Sequence, residues 1–244
     1  MANDDVSFAA IGDLIEKDAV LAGQLLRLVN SAVYVRRSQV NSVRHAVAMI
    51  GTRKLRNFAL GFSVSNLWQR IPAAPGWSHA GFNLHSVAAA VMTDLLAQHI
   101  PVAYAEGAFT AGLLHDVGKL LVAISLPDEF DVLVRCGGWT PSTEAQVLGF
   151  THAELSADVL ERWRIPAQIR DAVRAHHTSP MDPERPLLAD LVALADSALN
   201  PRKDPIEPQR ESASSALAGW GIDEQIPQIE EEIAVEMEAM RALF

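Results

Sequence analysis

The 244-residue sequence is 49% hydrophobic, enough for a sizeable core in one large domain or two lobes, and its single cysteine, Cys136, excludes an internal disulfide framework and any thiolate cluster. The formal charge of −10 gathers from Asp204 onward, where ten acidic residues face only Arg210 and Arg241, and the near-balanced remainder offers no broad basic face for a nucleic-acid backbone. No uninterrupted apolar run suits a bilayer, and the acidic MANDDVSFAA lacks the basic-then-apolar order of a signal peptide, so a cytoplasmic chain is expected, with no membrane partner.

Helical periodicity runs through nearly the whole chain, and no convincing alternating strand pattern interrupts it. Residues 8–29 carry Ile11, Leu14, Ile15, Leu21, Leu25, Leu26 and Val29 at helical spacing, with a break expected near Lys17-Asp18. Asn30-Ser31 then ends the apolar run, where their side chains can satisfy orphan carbonyls or start a turn. Residues 42–68 read as two helices meeting at Gly51, and Arg53-Lys54-Leu55-Arg56 reads as a solvated helix start. Arg70 to Gly81, with Pro72, Pro75 and Gly76, is a loop and the best junction between lobes. Helices are expected near 82–99, 104–125, 141–147, 152–163, 166–177 and 186–199. Thr151 with Glu154 fits a capping box, and Pro166 suits a first helical turn. A polar stretch over 200–213 precedes acidic amphipathic helices. The architecture predicted is all-α, with roughly ten helices, far above the ordinary helical share.

Polar groups sit where apolar stripes should be buried. His85 lies on the stripe of Ala88, Ala89, Met92 and Leu96; His115 lies on that of Ala108, Ala111, Gly112 and Val122, with Asp116 beside it and Lys119 one turn on. His152 begins the stripe Leu155, Ser156, Val159 and Trp163. His176 ends the stripe Ile169, Ala172 and Val173, with His177 next to it, and Asp196 lies one turn after Val192. A single histidine on an apolar face is ordinarily a hydrogen-bonded core residue. Buried carboxylates are harder to accommodate: unpaired, each costs several kcal/mol or takes up a proton. Asp116 and Asp196 therefore want a cation, and a shared divalent transition metal would satisfy them together with the imidazoles. Imidazole plus carboxylate suits iron, manganese, nickel or zinc. His45, His79 and His99 fall outside this pattern and read as surface or packing residues.

The segments LLRLVNSAVY (25–34), AVAMIGTRKLRNFAL (46–60), FNLHSVAAAV (82–91), AFTAGLLHDVGKLLV (108–122), HAELSADVLERWRIPAQIRDAVRAHH (152–177) and LADSAL (194–199) together resemble an HDOD domain of the HD superfamily. The resemblance implies a multi-helix HD-superfamily bundle with a smaller N-terminal helical lobe. It divides the chain into that lobe (1–75), an HD-like helical lobe (76–200) and an acidic C-terminal helical segment packing on the domain (201–244). His85, His115, Asp116 and Asp196 match the four HD ligand positions. Lys119, His152, His176 and His177 match positions of the related HD-GYP phosphodiesterases that complete a site for one or two ions. After His177 the chain reads Thr178-Ser179-Pro180-Met181-Asp182-Pro183, without the Asp-Gly-x-Gly-Tyr-Pro stretch of that group.

The same resemblance implies a signal-transduction domain that keeps a metal site, working through signalling proteins or its own missing N-terminal domain. The segment that usually opens such a domain is absent, so a fragment of a longer protein is expected. The alternative is a metal-dependent phosphohydrolase or phosphodiesterase taking a nucleotide-type phosphate ligand. There, Asp116 would bridge or orient at the metals and Lys119 would stabilise a phosphate oxygen, unless Lys119 merely pairs with Asp116. Trp163, between two ligand-bearing helices, is expected to pack inward and set their angle.

Overall fold

The computed structural model describes residues 8–31, 34, 39–136, 139–182, 184–200, 204–208, 217 and 220–241. The chain is all-α and divides into two compact units, Met1–Leu67 with Val235–Phe244, and Trp68–Ala234. The expected tail stretch 200–213 falls largely outside the described residues, at 201–203 and 209–213. Its described part forms the one departure from all-α, an antiparallel ribbon of β1 (Leu199–Asn200) and β2 (Asp204–Pro208).

In the first unit, α1 (Phe8–Ile15) ends where the break near Lys17-Asp18 was predicted. Asp18 then caps α2 (Ala19–Val29), its carboxylate accepting the Val20 and Leu21 N–H groups at 3.0 Å each. Asn30 closes α2 structurally, donating from Nδ2 to Leu26 O (2.8 Å) and Val40 O (2.6 Å) and accepting Val40 N–H on Oδ1 (2.7 Å). One side chain thus pins the chain that returns toward α3 (Val43–Trp68), which kinks at Gly51 (φ 77°) as its sequence position suggests. From α12 (Ile226–Arg241), Glu236 meets Lys54 and the Tyr34 hydroxyl, which donates at 3.1 Å.

The second unit is built around α4 (His79–His99), buried over almost its whole circumference from Phe82 to Leu96. It packs along α5 (Ala108–Leu114) and α11 (Leu188–Ala198). α6 (Val117–Ser125) packs on α9 (His152–Arg162), which in turn packs on α10 (Ala167–Ala175). Only one stretch, Ala105–Ser125, is long and apolar enough for a bilayer among the described residues, and it is 78% buried in this core.

Two expectations need correction here. The single helix predicted over 104–125 is two helices broken at His115-Asp116, because His115 Nδ1 takes Gly112 O at 2.7 Å, the carbonyl a continuous helix would offer to Asp116 N–H. A helix unseen in the sequence, α7 (Pro127–Arg135), starts on a proline and buries Phe130 and Leu133. Those two side chains join Ala74, Val122 and Ala123 in a second apolar cluster, under Trp77 and Trp139. α8 (Pro141–Leu148) follows, capped by Thr140.

Candidate metal centre

All seven histidine and aspartate side chains singled out in the sequence meet within the second unit. His85 comes from α4, His115 and Asp116 from the α5–α6 turn, His152 from the first position of α9, His176 and His177 from the end of α10, and Asp196 from α11. Two groups form whose candidate ligand atoms lie within 4.8 Å of one another: His85, His115, Asp116 and Asp196, and His152, His176 and His177.

Close packing makes this convergence possible. A Cβ on Gly112 would stand 2.7 Å from Ala89 O, so only glycine lets the turn approach α4 this closely. A Cβ on Gly118 would collide with the His152 carbonyl oxygen and lie 2.9 Å from Ser156 Oγ. Gly118 N–H instead donates to Ser156 Oγ at 2.8 Å, fastening α6 to α9. The doublet is flanked by two points at which backbones nearly touch.

In the first group, His85 Nε2 lies 3.2 Å from Asp196 Oδ1 and 3.5 Å from Asp116 Oδ2; His115 Nε2 lies 3.4 Å from Asp116 Oδ2 and 3.5 Å from Asp196 Oδ1. Asp116 also reaches the second group, with Oδ1 3.1 Å from His152 Nε2, though without hydrogen-bond geometry. Lys119 Nζ donates to Asp116 Oδ2 at 2.7 Å, so the plain salt-bridge expectation for Lys119 holds in this state. His152 Nε2 is 3.0 Å from His177 Nε2 and 3.4 Å from His176 Nε2.

The protons are assigned by the outer partners. Carbonyl oxygens only accept, so His115 donates its Nδ1–H to Gly112 O (2.7 Å) and His176 to Val173 O (2.6 Å). His152 donates Nδ1–H to the Glu144 carboxylate at 2.7 Å. When these rings are neutral, their Nε2 atoms present lone pairs to one another. Lone pairs converging at such distances in a buried place repel unless a cation lies between them, and His115 Nε2 and Asp116 Oδ1 are buried with no hydrogen-bond partner. Three carboxylates, Asp116, Asp196 and Glu144, face one ammonium, that of Lys119, leaving a net −2 when the imidazoles are neutral. The donor set fits a divalent transition metal.

Burial and the neighbouring charges oppose each other at the two carboxyls, and burial is the weaker. Burial raises the carboxyl of Asp116, but His115, Lys119 and His152 outweigh it and hold that carboxyl well below the usual range; Asp196 is held low by His115 and His85 against the same burial. Burial is the first cause that pushes His176 well down, with His115 and His177 adding to it. The site is open on one side: His115 and His152 are buried, whereas Asp196 and Lys119 are partly accessible and His177 is exposed.

Sequence reasoning missed Glu144, which is fully buried on α8. Its signal was available, a carboxylate one turn before Val147 and Leu148, which pack on the second apolar cluster. Trp163 does not set the angle between α9 and α10 from within: it is 51% exposed at the end of α9. The buried face of that helix is His152, Ala153, Ser156, Ala157 and Leu160, one residue round from the predicted stripe. His45 is exposed, His79 accepts the Trp77 indole N–H at 3.3 Å, and His99 lies 3.6 Å from Glu232; none of the three belongs to either group.

Residues 1–179 match the HDOD domain family. This chain belongs to the HDOD family. The fold is shared with an HDOD domain protein of unknown function from Geobacter sulfurreducens (24% identity, TM-score 0.75, covering 99% of this chain and 88% of that one). A candidate phosphohydrolase from Shewanella amazonensis SB2B superposes with a TM-score of 0.71 at 23% identity, over 99% of this HDOD chain and 89% of that chain. A candidate signal transduction protein from Marinobacter aquaeolei VT8 gives 0.69 at 22% identity, over 98% of this chain and 56% of that one. An uncharacterized protein of Treponema pallidum (strain Nichols) is 26% identical over 208 residues, 81% of this chain and only 39% of that protein.

Proposed function

We propose that this HDOD domain is a signal-transduction module that retains a divalent transition-metal site. His85, His115, Asp116 and Asp196 would hold one ion, and His152, His176 and His177 a second, of iron, manganese, nickel or zinc. The observation that carries the reading is the convergence of imidazole Nε2 atoms whose Nδ1 protons are already committed to Gly112 O, Val173 O and Glu144. The signalling role is supported by the Marinobacter protein of like fold and by the match of this chain to part of a longer relative. Its partners are signalling proteins or further domains of a longer chain.

Hydrolysis of a phosphate ester, in a nucleotide or cyclic dinucleotide, is the second reading, and the open side of the site favours it. Lys119 and His177 stand there, where an anionic ligand would enter, and Lys119 would turn from Asp116 to a phosphate oxygen. A bound ion supplies Lewis acidity and lowers the pKa of its water toward about 7. Asp116, reaching both groups, would orient the attacking oxygen.

Metal analysis of protein purified without chelator tests the first claim. One or two ions per chain in the wild type should be lost from folded His115→Ala and Asp116→Ala. Equal metal in all three proteins would sink the site. Turnover of phosphodiesters that disappears in Lys119→Ala while the metal stays bound would decide for the enzyme.

A further inference from the structure

We infer that Glu144 is the positioning residue of the imidazole group: by holding the Nδ1 proton of His152 it keeps the Nε2 lone pair of that ring aimed at His176 and His177. The inference rests on the metal-site reading and explains a buried charge that the reading leaves unused. Glu144 is fully buried, and among the described residues the hydrogen bonds of its carboxylate run to His152. A carboxylate so placed is costly unless hydrogen-bonded. Both of its oxygens are engaged by one residue: Oε2 accepts His152 N–H at 2.7 Å, and Oε1 and Oε2 lie 2.7 Å and 2.8 Å from His152 Nδ1.

Position in the helix explains why an outside carboxylate is needed. His115 and His176 each end a helical segment and use the carbonyl three residues back, Gly112 O and Val173 O. His152 is the first residue of α9, so no helical carbonyl precedes it by three. Its own N–H is one of the unpaired donors of a helix start, where a negative charge is stabilised. Glu144 takes that N–H and the ring N–H together, which fixes both the protonated nitrogen and the ring direction. A carboxylate in this place also makes the ring a stronger donor than a carbonyl would.

Glu144→Gln, which keeps the shape but cannot accept at both oxygens, and Glu144→Ala test this, with circular dichroism and Tm as controls for folding. Titration of metal-free protein with Zn(II) should show one binding event weakened by about 10- to 100-fold in Glu144→Gln and the other unchanged. Long-range nitrogen NMR of the metal-free protein, at a pH where the ring is neutral, should show the Nδ1–H form of His152 in wild type and its loss in the variant. A fall in Tm with the His152 proton and both binding events unchanged would mean that Glu144 only staples α8 to α9, and overturns the inference. Wild type that takes up no zinc defeats the metal-site reading instead, and the NMR result still decides whether Glu144 sets the proton.

Discussion

The carboxylate-bearing group (His85, His115, Asp116, Asp196) and the imidazole group (His152, His176, His177) adjoin at Asp116, yet they hold charge in opposite ways. Burial depresses the His85 imidazolium, but Asp116 and Asp196 outweigh it and lift the pKa to about 9. In the other group burial comes first and neighbouring imidazoles second, and both push His176 and His177 down. His152, between them, is lowered by burial and Lys119 but raised overall by Asp116 and Glu144. Without a metal, the first group is therefore closed by a proton at His85, whereas in the second only His176 and His177 keep bare lone pairs. The same ligand type serves two ends: an ion entering the first group must displace a proton, whereas His176 and His177 have none to give up.

Removing the shared wall should have the largest effect. Asp116→Ala deletes a candidate ligand of one group and the contact to the other, so both binding events should disappear from a zinc titration. It also leaves Lys119, whose ammonium Asp116 sustains against burial, without its partner at 2.7 Å. Breaking such a pair costs about 3 kcal/mol, to be seen as a lower denaturation midpoint. Asp116→Asn keeps the volume and should lose metal equally; retention of both events in it would mean that the groups do not depend on Asp116.

The pH dependence separates the groups next. His85 in the metal-free fold has its pKa raised from an unfolded value near 6.5 to about 9. Its contribution is present in full below the unfolded value and is lost as pH rises through about 9, on the order of 3 kcal/mol in all. Metal entering this group must expel that proton, so its apparent affinity should rise about tenfold per pH unit from 7 and level off near 9. His176 and His177 are pushed down and have no proton to release, so the pH dependence of their group should come from His152 alone, whose pKa is raised. Calorimetry in buffers of different ionisation heat counts the protons released. Release of more than one proton from the second event would mean that His176 or His177 is also protonated and would erase the contrast.

Gly118→Ala should act on one side only. The new methyl meets the His152 carbonyl and Ser156 Oγ, and α9 must move away from α6. Overpacking of this kind costs about 1–3 kcal/mol. The imidazole group should weaken with it while the carboxylate group keeps its affinity. Gly112→Ala, against Ala89 O on α4, is the mirror experiment and should weaken the carboxylate group instead.

Much of the candidate site was legible in the sequence because its residues lie on or beside apolar helical stripes. His85, His115, His176 and Asp196 could be placed from periodicity alone, and the break before Asp18 and the kink at Gly51 followed from local residue chemistry. The doublet turn was not legible, since His115 competes for Gly112 O through a side-chain bond that no periodicity encodes. α7 escaped because its two buried residues, Phe130 and Leu133, are few and its first turn is acidic. Glu144 escaped for a related reason: its purpose depends on His152, eight residues away on another helix. The stripe of α9 was drawn one residue off, which placed Trp163 inside although it is 51% exposed.

The smallest expected effect probes how firmly α9 presents its ligand. Thr151 Oγ1 accepts Glu154 N–H at 3.2 Å, and the Glu154 carboxylate returns to Thr151 N–H at 2.8 Å, the capping box read from the sequence. This box lies in the solvent-facing part of the helix start, whereas Glu144 holds the adjacent residue, His152, from the buried side. Thr151→Ala removes the cap at about 1 kcal/mol of stability and frays the turn that His152 begins. With Glu144 still gripping both His152 N–H groups, the imidazole group should lose no more than a few-fold in zinc affinity, and the carboxylate group should lose nothing. A loss as large as that from Gly118→Ala would show that the helix start, and not the contact with Glu144 or the seam with α6, carries the geometry of the ring. The ordering of the two losses thus measures which of the fastenings on His152 the imidazole group relies on.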